Sequence, residues 1–237
     1  MFTQKVAVYK LGKIAYKDAW ALQEKLLSIL VSAKQNKVNP QIEHYLLLCE
    51  HFPVYTLGKS GSEKNLLVTD EFLKEHAIEY YKVNRGGDIT FHGFGQIVGY
   101  PILDLEKIKP DISYYIRNLE KVIMDTLQEF SILSERSPKE TGVWVEPQDI
   151  SKARKICAIG VRCSRWVTMH GFALNVNTSL DFFNHIIPCG IENKKVTSMK
   201  NELHQELNIE SVQNILLENF SKTFQLEIQL ETKEALL

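Results

Sequence analysis

The stretch "RGGDITFHGFGQIVGYP", Arg85 to Pro101, gathers five glycines, a histidine and a glutamine beside residues that alternate like a strand. Glycine weakens a strand, so such density marks a tight turn or a close approach of backbone to a ligand. Phosphate is the first ligand to test, and it fails. Neither G-x-x-x-x-G-K-[ST] nor a G-x-G-x-x-G between a strand and a helix is present, and the residues after Gly95 read as another strand. A second candidate for chemistry is Cys189 in "IIPCGI". There Pro188 fixes the approach and Gly190 lets backbone come close, an arrangement that suits a presented thiol with N–H groups aimed at an oxyanion. From that tripeptide alone, a buried cysteine at a strand end is the plainer reading. Lys155 opens the strand-like run "KICAIGV", where a lysine is equally a solvated strand end.

The order of these pieces says more than any one of them. Arg85-Gly86-Gly87, Thr90-Phe91-His92-Gly93 and Gly95-Gln96 resemble the R-G-G-x-x-T-[YF]-H-G-P-G-Q signature of the lipoyl(octanoyl) transferase family, with Phe94 where that pattern has proline. Upstream, "EHFPVYTLGKSG" is similar to the family's E-H-P-P-V-Y-T-x-G-[RK]. Downstream, "KICAIGVR", "HGFALNVN" and "IPCGI" follow in the family's order, so the resemblance runs from Leu46 to Ile191. It implies the fold of the biotin and lipoate protein ligase superfamily. The implied activity is transfer of an octanoyl group from octanoyl-acyl carrier protein to a lysine on lipoyl domains of 2-oxoacid dehydrogenases or on the glycine-cleavage H protein. By the same resemblance Cys189 carries the acyl thioester and Lys155 is its dyad partner. Arg85, Gly86, Gly87, Asp88, Ile89, Thr90, Phe91 and His92 form one wall of the substrate site; Ala158, Ile159, Gly160 and Gly171, Phe172, Ala173 complete it. His92 and His170 line that site as candidate hydrogen-bond partners of the reacting carbonyl.

Acyl transfer from a thioester to an amine needs a nucleophile, a proton acceptor and an oxyanion stabiliser, and no ATP, because the donor is already activated. No cofactor or metal is implied. The alternative is an ATP-dependent lipoate or biotin protein ligase, a related fold that uses no cysteine; a non-catalytic module that binds lipoyl domains is a third reading. Lowering a thiol from about 8.5 to about 7 raises its thiolate fraction at neutral pH from roughly 3% to 50%, but intrinsic nucleophilicity falls about fivefold. The net gain is about threefold. Proton transfer is therefore the larger contribution expected of Lys155: it protonates the departing carrier thiol and then accepts the proton of the attacking amine.

These residues need elements to place them. "YKDAWALQEKLLSILVSAK" spaces Ala19, Leu22, Leu26 and Ile29 along one helical stripe, and "ISYYIRNLEKVIMDTLQEF" does so with Ile116, Leu119, Ile123 and Leu127. "SVQNILLENFSKTF" predicts a third helix, capped by Ser211. Between them "HYLLLCEH", "IEYYKVN", "QIVGYPILDL", "TGVWVE", "KICAIGVRC" and "WVTMHGFALNVN" read as strands, the last two joined so tightly that they must be antiparallel neighbours. Cys157 and Cys163 share Lys155's strand parity and read as packing.

The expected class is α+β: one domain over residues 1–237, a mixed, largely antiparallel sheet flanked by helices, with no regular βαβ alternation. At 237 residues, 44% hydrophobic and 24% charged, the chain can bury a full core. A net charge of −1 with interspersed signs lacks the broad positive field of a nucleic-acid binder. "MFTQKVAVYK" has no apolar run and no stretch reaches the length of a membrane span, so a cytoplasmic location with no membrane partner is expected. The four cysteines form no CxxC pair or zinc-type spacing.

Overall fold

The computed structural model describes residues 4–38, 42–138, 140–187 and 195–236. The chain begins with β1 (Gln4–Ile14), α1 (Tyr16–Gln35), β2 (His44–His51) and β3 (Val54–Leu57). A short α2 (Asp70–Glu75) leads to β4 (Glu79–Lys82), β5 (Ile89–His92) and β6 (Gln96–Leu103). After α3 (Ile112–Glu129) come β7 (Glu135–Arg136), β8 (Val143–Val145), β9 (Arg154–Ser164) and β10 (Val167–Asn175). The described chain then continues through β11 (Lys195–Val196), α4 (Met199–Leu203), α5 (Ile209–Phe224) and β12 (Leu226–Glu231).

The large sheet has the order β12-β1-β2-β6-β10-β9-β8-β7, with β11 also paired to β9; β4-β3-β5 make a small second sheet. Pairs β12/β1, β1/β2 and β11/β9 are parallel, and every pair from β2/β6 to β7/β8 is antiparallel. The fold is thus α+β with a mixed, mostly antiparallel sheet. Two βαβ units are present among the described residues, β1-α1-β2 in the large sheet and β3-α2-β4 in the small one, without a regular alternation along the chain.

Both faces of the large sheet are covered, which is why β1 and β2 carry nearly continuous apolar runs instead of a polar alternation. Val6, Val8, Leu46 and Leu48 point into the core shared with α3 and α5, whereas Ala7, Tyr9, Leu47 and Cys49 point to α1. Each fully buried leucine on these faces contributes roughly 1.5–3 kcal/mol. In α1 the buried stripe is Tyr16, Ala19, Gln23, Leu26, Leu27 and Leu30, rotated from the predicted one, and Ile29 is 42% exposed. The cause is Gln23, a buried polar residue that apolar spacing does not count: its side-chain oxygen accepts the backbone N–H of His170 at 3.0 Å. In α3 Leu119, Ile123 and Leu127 are buried as expected, beside Glu120. The cap of α5 is Asn208, which accepts from Ser211 N–H, so the helix starts two residues before the predicted Ser cap.

The predicted hairpin is β9–β10, with Ser164 opposite Val167. Arg165 and Trp166 both have positive φ, the two-residue turn whose twist suits flanking strands. Cys157 is in the core as expected, although not by shared parity with Lys155. Val143 pairs with Cys157 and Trp144 with Lys155, so Ile156 is an extra residue in β9. This bulge leaves Lys155 on a cavity and Cys157 in the core.

Candidate active site

A cavity of about 230 Å³ is bounded by β9, β10 and β6 on one side and by the small sheet, its loops and the start of α1 on the other. Its floor is made of small residues in register. Ala158 on β9 faces Ala173 on β10, which faces Val98 on β6; Gly160 faces Gly171. A side chain at Gly171 would bring its Cβ within 2.2 Å of the Gly99 carbonyl oxygen, and one at Gly160 within 2.8 Å of the Gly86 oxygen. The first closeness lets β10 lie flat on β6. The second lets the Arg85–Gly87 loop dock on β9, where Gly86 N–H donates to Val161 O at 2.9 Å.

Of the predicted wall, Arg85, Gly87, Asp88, Ile89, Thr90 and His92 line the cavity, as do Ala158, Ile159, Gly160 and Gly171, Phe172, Ala173. Gly86 and Phe91 do not. Gly86 is turned to β9, and Phe91 packs with Tyr55 and Phe182 in the core of the small sheet. Phe94, in place of the pattern's proline, is 46% exposed and meets the Phe52 ring edge-on at 5.7 Å, away from any reacting group.

A chain of hydrogen bonds crosses the wall. Arg85 Nη2 donates to Thr56 Oγ1 at 2.9 Å and to Thr56 O at 2.6 Å; Thr56 Oγ1 lies 3.3 Å from His92 Nε2, and His92 Nδ1 lies 2.8 Å from Gln96 Oε1. Gln96 Nε2 donates to Phe91 O and Asn175 Oδ1, which makes Gln96 Oε1 an acceptor and His92 Nδ1 the protonated nitrogen. The Thr56 hydroxyl then donates to Nε2, so both ring nitrogens of His92 are engaged. Burial, reinforced by His51, holds His92 well below the usual histidine range.

His170 is neutral as well, pushed down to about 3 by burial and by the Arg85 and Arg162 charges. Its Nε2 pairs with Asn84 Oδ1 at 2.7 Å, leaving Nδ1 as an acceptor without a partner. In this arrangement His92 has both ring nitrogens engaged and His170 offers an acceptor at Nδ1. His92 braces the wall, and His170, at φ +58° inside a strand, is a strained residue held by Gln23.

Lys155 reaches the cavity with 17% of its side chain exposed. Its ammonium is 3.6 Å from Glu140 Oε2 and 4.7 Å above the Trp144 ring. The Glu140–Gly142 turn is fixed by the fully buried Glu120, which accepts Gly142 N–H at 3.1 Å and pairs with Arg117 and Arg136. Cys189, with Pro188 and Gly190, lies outside the described residues. The described residues on either side of it border the cavity region: Ile187 N–H donates to Asn65 O, Asn65 donates to Asp88 at 2.7 Å, and Val196 pairs with Lys155.

Sequence reasoning missed Tyr16, Tyr100, Glu140, Thr141 and Phe183 in this lining. Glu140 stood directly before the predicted "TGVWVE" strand and Thr141 opened it, a usable signal. Tyr16, at a helix start, gave none.

Residues 15–221 match the family described as the lipoyl protein ligase A/B catalytic domain. An octanoyltransferase of Christiangramia forsetii is 51% identical over 233 residues, covering 96% of this chain and 99% of that protein. An octanoyltransferase of Cytophaga hutchinsonii is 45% identical, covering 96% of each. Among solved structures, the bipartite lipoate protein ligase of Thermoplasma acidophilum matches with a TM-score of 0.73 at 14% identity, covering 98% of this chain and 90% of that one. At that identity the last match bears on the fold alone.

Proposed function

The chain belongs to the lipoyl protein ligase A/B catalytic-domain family, and from that premise we infer that it is an octanoyltransferase. It takes the octanoyl group from the thioester of an acyl carrier protein and delivers it to a lysine of a lipoyl domain or of the glycine-cleavage H protein, in the cytoplasm. The observation that carries this reading is Lys155 at the edge of a cavity floored by alanine and glycine, a slot for a chain without side branches. No helix among the described residues is long and apolar enough to cross a membrane.

In this reading the acyl carbonyl forms a new C–S bond to Cys189 while Lys155, its charge balanced by Glu140, hands a proton to the departing carrier thiolate. The acceptor amine then attacks the enzyme thioester, Lys155 takes a proton from it, and Cys189 leaves as the thiolate. Burial pushes the thiols of Cys49, Cys157 and Cys163 upward, which makes them poor nucleophiles and supports Cys189 as the acyl carrier.

The test is intact mass spectrometry after mixing with octanoyl carrier protein in nucleotide-free buffer. One octanoyl adduct per chain is expected, labile to hydroxylamine, mapped to Cys189 and lost in Cys189→Ser. An adduct on Cys49, Cys157 or Cys163 overturns the assignment, and efficient loading of free octanoate that requires ATP establishes the ligase reading instead.

A further inference from the structure

We propose that Tyr16 ends the acyl slot and thereby limits the accepted chain to about eight carbons, a proposal that rests on the octanoyl-transfer reading. The slot crosses three adjacent strands. Lys155 stands on β9, and the floor passes through Ala158 and Ala173 to Val98 on β6. Strands about 4.8 Å apart give a span of about 10 Å from β9 to β6. At the β6 end the way is closed by Tyr16, the first residue of α1, which lines the cavity and is 2% exposed.

The Tyr16 ring is a wall and not a gate, because aromatic neighbours hold it on several sides. It stacks on Tyr81 at 5.5 Å and on His92 at 6.0 Å, and it meets His51 edge-on at 5.2 Å. His51 is itself fixed, between Ile14 O at Nδ1 and the Tyr100 hydroxyl at Nε2. The other direction, along β10, leads to the partnerless Nδ1 of His170, where a terminal methyl would leave a buried acceptor dry. The apolar tail therefore runs toward Tyr16.

The ring packs with Val54 and Val83, beside Trp20 and Tyr81, so removing it leaves apolar space next to the slot.

The experiment compares transfer to a lipoyl domain from octanoyl, decanoyl and dodecanoyl carrier proteins, as kcat/KM, for the wild type, Tyr16→Leu, Tyr16→Ala and Tyr16→Phe. One methylene too many in a closed apolar pocket discriminates by roughly tenfold or more. The Leu and Ala variants should therefore raise the decanoyl-to-octanoyl ratio by about tenfold or more, while Phe, which keeps the ring, keeps the wild-type ratio. An unchanged ratio in the Leu variant overturns the proposal, and that variant decides the matter if Tyr16→Ala no longer melts cooperatively. Absence of octanoyl transfer by the wild type overturns the activity itself, a separate outcome.

Discussion

Lys155 lies between a carboxylate and an aromatic face, and both neighbours hold its Nζ in place. Charge alone does not explain its use, because a threefold gain from a lowered thiol is small beside the 10²–10⁴-fold typical of a positioned proton donor or acceptor. Arginine separates the two roles: it keeps the cation but effectively never deprotonates. Lys155→Arg should still form the acyl-enzyme slowly, while release of the octanoyl group to the lipoyl-domain lysine falls by about 10² or more. The measurement is a pair of single-turnover rates, acylation and deacylation, with Lys155→Met beside it to report the cost of losing the cation. Equal losses in both steps for Arg would show that the residue acts by charge or position. At this scale residue identity was legible and role was not. The resemblance named His92 and His170 as lining the substrate site, but their hydrogen-bond partners Thr56, Gln96 and Asn84 are brought together only by the folded chain.

The cavity floor belongs to β9 and β10 as a pair, and its flatness is a property of the elements. Gly171→Ala places a Cβ 2.2 Å from Gly99 O and 2.6 Å from Pro101 Cδ, main-chain and ring atoms that have nowhere to go. β6 and β10 must separate, so a loss of about 1–3 kcal/mol is expected, read as a lower urea midpoint together with lost transfer. A midpoint equal to the wild type would mean that the strands tolerate the separation. The hairpin itself was legible because two β-rich runs met at a two-residue joint. Three features were not. The β9 bulge depends on its pairing with β8, the stripe of α1 turns on a buried glutamine, and β1, β3 and β12 escaped because short or charge-interrupted strands gain their stability from neighbours.

Across the whole molecule, the cover on both faces of the large sheet and the aromatic packing under α1 bury histidines in neutral form. Burial pushes His44 and His51 down to about 4 and His170 to about 3. Each sits in low-dielectric surroundings that disfavour a charged ring, and at His44 the Asp104 N–H donates to Nδ1, so a second proton there would displace a partner. The sign follows from counting protons. Above about pH 6.5 neither folded nor unfolded chain carries the charge, and these groups do not affect stability. Below it the unfolded chain takes up protons that the folded chain refuses until pH reaches about 4 or about 3, so stability falls as pH falls through that window. Each group loses about 1.4 kcal/mol per pH unit there, and with His92, which burial holds down likewise, the four lose about 5 kcal/mol per unit, a large part of the 5–15 kcal/mol that holds a domain together. Urea midpoints should therefore drop steeply between about pH 6.5 and 5, with cooperative unfolding in acid well before the carboxylates are protonated. His44→Gln, which keeps a donor and an acceptor but cannot titrate, should reduce that slope by about a quarter. A midpoint that stays level from pH 7 to pH 5 would mean that these rings are hydrated enough to accept protons in the folded chain.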